Sequence, residues 1–267
     1  MTLWWLAYPL LGVFAGFVAG LFGVGGGLTL VPVLFMIFSA ENFPQAHLMH
    51  LTLGTSMATI VLTSISSMRA HHSYGAVRWD IVKGLAPGLM FGTLGGSLFA
   101  GMVPTRPLAI AFTTIVYYAS LQIALDFKPK AQRGLPGTPA LFGVGAAIGV
   151  VSSLVAAGGG FMSIPFMVFC NVAIHQAVGT SSMLGFPIAI AGFVGYLIAG
   201  WGTPGLPPYT VSYIYLPAFV GVVSMSILVA PLGARVAHSL PVKPLKRAFG
   251  VFLALLATKM LHGLLSG

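Results

Sequence analysis

The chain has 267 residues, 57% hydrophobic and 6% charged, with a mean hydropathy of +0.99. A soluble domain carries about 25% charged residues, so this composition excludes an ordinary water-facing surface and points to lipid as the solvent. The net charge of +9, from 12 Lys and Arg against 3 Asp and Glu, flanks apolar runs and reads as topology signals rather than a nucleic-acid surface.

A helix that crosses a bilayer needs about 20 mostly apolar residues. Taken in chain order, 3–22, 47–68, 84–102, 107–125, 139–157, 177–199, 213–234 and 248–265 come near that length. The last contains Lys259 and His262 near its end. The first opens on Leu3-Trp4-Trp5-Leu6 with no Lys or Arg before it, so it is expected to belong to the fold rather than to a secretory signal. Two further apolar runs, 28–38 and 161–170, are too short to cross, and each follows a glycine cluster directly. No strand-like alternation appears, so the expected fold class is an all-α polytopic membrane protein. The single cysteine, Cys170, excludes an intramolecular disulfide.

An internal repeat runs through these elements. Gly12, Gly16, Leu21, Gly25, Gly26, Gly27 and Pro32 recur 133 residues later as Gly145, Gly149, Leu154, Gly158, Gly159, Gly160 and Pro165. The stretch His50 to Ser56 recurs at a spacing of 125 as His175 to Ser181. Gly96, Pro104, Pro107, Ala111 and Phe112 recur at 137 as Gly233, Pro241, Pro244, Ala248 and Phe249. The expected division is a first transmembrane repeat over 1–125, a basic linker over 126–138 and a second repeat over 139–267.

Lys and Arg collect in cytoplasmic loops. Arg69, Arg78 and Lys83 form one cluster, Lys128, Lys130 and Arg133 a second, and Arg235, Lys243, Lys246 and Arg247 a third. The basic loop at 69–83 has an uncharged counterpart at 200–212, whereas the loop at 103–106 has one Arg and its counterpart at 236–247 is basic. The basic loops exchange places between the halves, which predicts two inverted repeats with the linker cytoplasmic. Inversion requires an odd number of crossings per half. The unit 3–38 must then be a re-entrant hairpin or a full helix with a short return helix, and the glycine cluster is its turn in either case.

The glycine clusters Gly25-Gly26-Gly27 and Gly158-Gly159-Gly160 carry the strongest chemical signal. Adjacent glycines break a helix, and irregular backbone at membrane depth is tolerated where it is buried in protein or lines a cavity. The short helix that follows presents free N–H groups and the positive end of its dipole, which suits an anion. Tight helix packing alone is the competing explanation. Thr55, Ser56, Thr180, Ser181 and Ser182 offer hydroxyl donors to an oxyanion, or else bond back to their own helices. His50 and His175 stand one turn before those hydroxyls, as candidates for a coupled proton or as structural histidines. His71 and His72 fall in the basic loop and are expected to be solvated. The carboxylates Glu41, Asp80 and Asp126 fall at expected loops or helix ends, which argues against a cation substrate. No nucleotide-binding glycine loop and no zinc-type His/Cys spacing appears, so no cofactor or metal is expected.

The duplicated Gly-x-Gly-Gly-Gly-x-Leu-x-x-Pro turn, followed by a Gly-Thr-Ser helix, resembles the TauE/SafE family of sulfite exporters. The Pro-x-x-Pro-Leu and Lys-Arg-Ala-Phe-Gly region at 241–250 is similar to that family too. In the second copy of the turn Ala156 stands where the first has Gly23. The resemblance covers the whole chain and implies transport of sulfite, sulfonates or related anions across the inner membrane. The resulting expectation is a secondary transporter working by alternating access, with a small anion, lipids and a coupling ion as its partners. An anion channel is the alternative in transport. An intramembrane enzyme is the alternative outside it and would need a serine beside His50 or His175.

Overall fold

In a computed structural model the described residues are 2–23, 26–125, 134–239 and 243–266. Gly25 and most of the linker, 126–133, therefore lie outside the described residues, as does Pro241. The described chain is almost entirely helical, as its composition requires. Ten helices run in order: α1 (Thr2–Phe22), α2 (Gly27–Ala40), α3 (Leu48–Ser73), α4 (Trp79–Met102), α5 (Thr105–Ala124), α6 (Thr138–Val155), α7 (Gly160–Phe169), α8 (Ile174–Ala199), α9 (Leu216–Ser239) and α10 (Lys243–Ser266). A two-residue hairpin, β1 (Thr210–Val211) and β2 (Ile214–Tyr215), pairs Thr210 with Tyr215 antiparallel just before α9. Eight of the helices are long and apolar enough to cross a membrane.

The other two, α2 and α7, have 14 and 10 residues. At 1.5 Å rise per residue they reach about 21 and about 15 Å, short of the roughly 30 Å hydrocarbon layer. The unit at the start of the chain is thus a full-length helix followed by a short return helix. Its end comes back beside its start, where the Tyr8 hydroxyl donates to Glu41 Oε1 at 3.1 Å. Glu41 is half-buried at the C-terminal end of α2, and that burial raises its carboxyl above the ordinary carboxylate range.

Charge misplaces several helix ends in the sequence. The basic stretch 69–83 is mostly helix, since α3 runs to Ser73 and α4 begins at Trp79. The stretch 236–247 is likewise largely the end of α9 and the start of α10. A charged residue ends a hydropathy window without ending a helix. Lys and Arg near a bilayer surface keep their heads in water while the backbone stays helical. Asp80 in the first turn of α4 takes the position that the helix dipole favours and pairs with Arg78 at 2.6 Å.

The packing occurs in exchanged pairs. The most extensive contacts are α1 along α9 and α4 along α6. Gly12 and Gly16 on α1 press on the α9 backbone at Val222 and Ser226, while Gly145 and Gly149 on α6 press on the α4 backbone at Leu85 and Leu89. Gly12 and Gly145 differ by the repeat offset of 133, and Leu85 and Val222 by the offset of 137. The absence of side chains there lets the backbones approach closely, which is how helices associate in lipid. The central helices α3 and α8 pack on each other and carry the hydroxyl-rich stretches into the interior.

Candidate anion site

Each short helix opens on a glycine in the left-handed region, a conformation that a side chain penalises and glycine does not. Gly26 caps α2 with φ +74° and Gly159 caps α7 with φ +74°. The residues that end the preceding helices match as well. Gly23 has φ +65° and Ala156 has φ +44°, so the departure of Ala156 from glycine changes the residue and keeps the turn. The two turns touch each other. A side chain on Gly27 would run into the Ala156 carbonyl, and one on Gly160 would run into the Gly23 carbonyl. The N–H groups of Thr29 and Met162 turn back to the Gly26 and Gly159 carbonyls, and those of the first two residues of each helix have no acceptor within it. Both helices therefore open at one interior place, the contact between the turns.

Hydroxyls surround that place. Ser163 Oγ donates to Ser181 Oγ at 3.0 Å, and Ser181 Oγ donates to the Gly23 carbonyl at 3.1 Å. Ser182 Oγ lies 2.9 Å from where a Cβ of Gly23 would stand, and Ser152 Oγ lies 3.5 Å from the same point on Gly159. Ser56 stands one turn before Ile60, whose Cδ1 is 3.0 Å from the Cβ position of Gly27. Ser56, Ser152 and Ser182 are 0, 0 and 4% exposed, and none of their hydroxyls has a partner among the described residues. A buried hydroxyl left unpaired costs free energy, so a group that accepts from all three has a standing advantage there. Gly158 faces α8 at Gly185 beside the same turn. Every Lys or Arg whose side chain is described is exposed, except Arg78, which is half-exposed against Asp80.

The threonines have a different position. Thr55 Oγ1 accepts the N–H of Tyr215 at 2.9 Å, and Thr180 Oγ1 accepts the N–H of Arg78 at 2.9 Å. Each threonine on a central helix thus anchors the connection that enters the other half. The two histidines also differ. His175 is exposed, whereas His50 is buried, with Nε2 donating to the Ala100 and Val103 carbonyls at 3.2 and 3.0 Å and its ring stacked on Tyr213. His50 Nδ1 is buried without a partner among the described residues.

The expectation that His71 is solvated is overturned. It is 0% exposed near the end of α3, with Nε2 on the Gly20 carbonyl at 2.9 Å, while His72 is exposed. Tyr196, buried on α8, makes the matching bond to the Ser153 carbonyl at 2.9 Å. Each bond holds a carbonyl three residues before a glycine turn. Ser152, Ser163 and Tyr196 were missed in the sequence, and His71 was misplaced. The legible signal for Ser152 was a polar pair, Ser152-Ser153, inside an otherwise apolar run and next to the glycines.

Residues 8–260 match the sulfite exporter TauE/SafE family. The chain belongs to that family. A relative from Haemophilus influenzae, described as a probable membrane transporter protein, is 38% identical over 94% of this chain and 96% of its own length. Another, probable membrane transporter protein YdhB of Bacillus subtilis, is 28% identical over 90% of this chain and 91% of its own. A third, probable membrane transporter protein MJ0441 of Methanocaldococcus jannaschii, is 25% identical over 96% of each. No solved structure matches the chain. Family and helices together make this a multi-pass membrane protein of a transporter family.

Proposed function

We propose that the protein is a secondary transporter that carries a small sulfur-containing anion, sulfite or a sulfonate, across the inner membrane by alternating access. One observation carries the reading: two buried, unpartnered serine hydroxyls, Ser152 and Ser182, stand against two touching glycine turns that each open a short helix. Hydroxyl and backbone N–H groups are donors to an oxyanion, and two helix N-termini add positive potential without a buried cation. Gly26, Gly27, Gly159 and Gly160 supply the turns, and Ser56, Ser152, Ser181 and Ser182 the hydroxyls. The halves 1–125 and 139–267 lie in opposite orientations in the membrane, with the basic linker 126–138 in the cytoplasm. The exchanged contacts and the alternating Lys/Arg content support that arrangement. The substrate then sits between two halves that rock against each other.

Ser152→Ala and Ser182→Ala test the site. Deleting an unpaired buried hydroxyl is close to neutral for folding, so each variant keeps its thermal stability within about 1 kcal/mol. Each loses one bond to a charged ligand, about 1.5–3 kcal/mol, so half-saturation for sulfite in proteoliposomes rises roughly 10- to 100-fold. Unchanged half-saturation in both variants would remove the serines from the site. Stoichiometric counterflow in the same vesicles separates a carrier from a channel.

A further inference from the structure

We infer that the site accepts its oxyanion in the singly charged form alone, so that sulfite is carried as hydrogen sulfite and brings its own proton. The inference rests on the site proposed above and concerns the charge that site can hold.

The positive potential there comes from two helix ends. Each helix N-terminus acts as roughly half an elementary charge, so α2 and α7 together supply about one. Ser152 and Ser182 beside the turns are fully buried or nearly so and contribute dipoles without charge. Every described Lys and Arg side chain is at an exposed or half-exposed position, so none adds a second positive charge inside. A monoanion is therefore balanced. A dianion would leave one charge buried without compensation, which is far more costly than leaving it in water.

Hydroxyl chemistry also favours a protonated oxyanion. A serine hydroxyl accepts as well as donates, so the unpartnered oxygen of Ser152 or Ser182 can take the substrate's own O–H. Fixed monoanions such as alkanesulfonates meet the same charge condition, and sulfate as its dianion fails it. When hydrogen sulfite crosses and ionises on the far side, it yields one sulfite dianion and one proton. The proton moves on the substrate, and the transport cycle needs no titrating carboxylate among the spanning helices. Of the described titratable side chains, His71 and Tyr196 bond to the Gly20 and Ser153 carbonyls that precede the turns. The test must therefore separate protonation of substrate from protonation of protein.

The experiment uses the purified full-length protein in liposomes, with the same buffer on both sides. It measures initial uptake of radiolabelled sulfite at fixed total concentration across a pH series, with methanesulfonate or sulfate as competitor. The rate is expected to follow the hydrogen sulfite concentration, falling about tenfold per pH unit above the second sulfite ionisation. Methanesulfonate, which does not titrate in this range, is expected to bind with the same inhibition constant at every pH. Sulfate in equal excess is expected to leave uptake unchanged. A rate that stays flat or rises with pH overturns the inference, and so does sulfate competing as well as methanesulfonate. An inhibition constant for methanesulfonate that shifts with pH overturns it too, by placing the titrating group on the protein. Each of those results leaves anion transport standing. If neither sulfite nor methanesulfonate is moved, and neither protects the protein against thermal unfolding, the anion site and this inference fall together.

Discussion

Gly26 and Gly159 form a matched pair in which backbone strain cancels. Both have φ of +74°, so an alanine pays the same left-handed penalty at either, about 1–3 kcal/mol. What differs is the neighbour. A Cβ on Gly26 would lie 2.8 Å from the Ala15 carbonyl oxygen, which is helix backbone. A Cβ on Gly159 would lie 2.7 Å from Ile188 Cδ1, the far end of a side chain that can turn away. Gly26→Ala is therefore expected to lower the melting temperature in detergent more than Gly159→Ala. Equal losses, or the reverse order, would show that the contact at Ala15 is not what restricts the position. For the same reason Gly159→Ala is the better probe of binding, because it has the better prospect of folding.

At the scale of the element, the two threonine anchors explain how a connection is fixed inside the protein. Tyr215 ends the small hairpin, and the Arg78 segment precedes α4. Both run past a central helix and need an acceptor for a partly buried N–H, which Thr55 and Thr180 provide. Thr55→Val and Thr180→Val keep the shape and leave that N–H unpaired. Each is expected to cost about 1–3 kcal/mol of stability. The two bonds share no partner, so the losses in the double variant should add to within about 0.5 kcal/mol. Chemical or thermal unfolding of the four proteins in detergent measures this directly. A strongly sub-additive double variant would mean that the two anchors act as one unit. Thr52 and Thr59 on α3 simply bond back along the helix to Leu48 and Thr55, whereas Thr63 bonds both Thr59 and Ser226 on α9.

At the scale of the whole molecule the open question is how the halves face the membrane. The connection between α3 and α4 sits among Arg69, Arg78 and Lys83, whereas the segment after α8 has neither Lys nor Arg between 200 and 215. By the positive-inside rule the first is expected in the cytoplasm and the second outside. Cys170→Ala removes the native thiol, so single cysteines can report position. Trp201→Cys, at a site 75% exposed, should react with an impermeant maleimide in intact cells. Tyr74→Cys, 49% exposed, should react after permeabilisation alone. Labelling of both from one side would sink the inverted arrangement.

Composition alone settled that this chain lives in lipid, because a bilayer span requires a long uncharged run and hydropathy reads such a run locally. The breaks at Gly23–Gly27 and Ala156–Gly160 were legible for a similar reason: several glycines in an apolar run disfavour a continuous helix wherever it packs. The turn itself was visible, but its choice between a re-entrant hairpin and a full helix with a return was not. That choice depends on where each helix ends, and α1 has 21 residues against 14 in α2. The roles of individual polar residues were decided by tertiary structure. A serine or threonine inside an apolar helix can bond to its own backbone, anchor a neighbour or remain unpaired, and local sequence is much the same in all three cases. Thr59, Thr55 and Ser56 lie within five residues of one another and take those three fates in turn. His71 looked like a loop residue because the charges around it resemble a loop, yet α3 continues past it and carries its ring to the Gly20 carbonyl. Which carbonyl needs a donor, and which hydroxyl lacks an acceptor, is fixed when helices far apart in the chain cross, and no local pattern encodes that crossing.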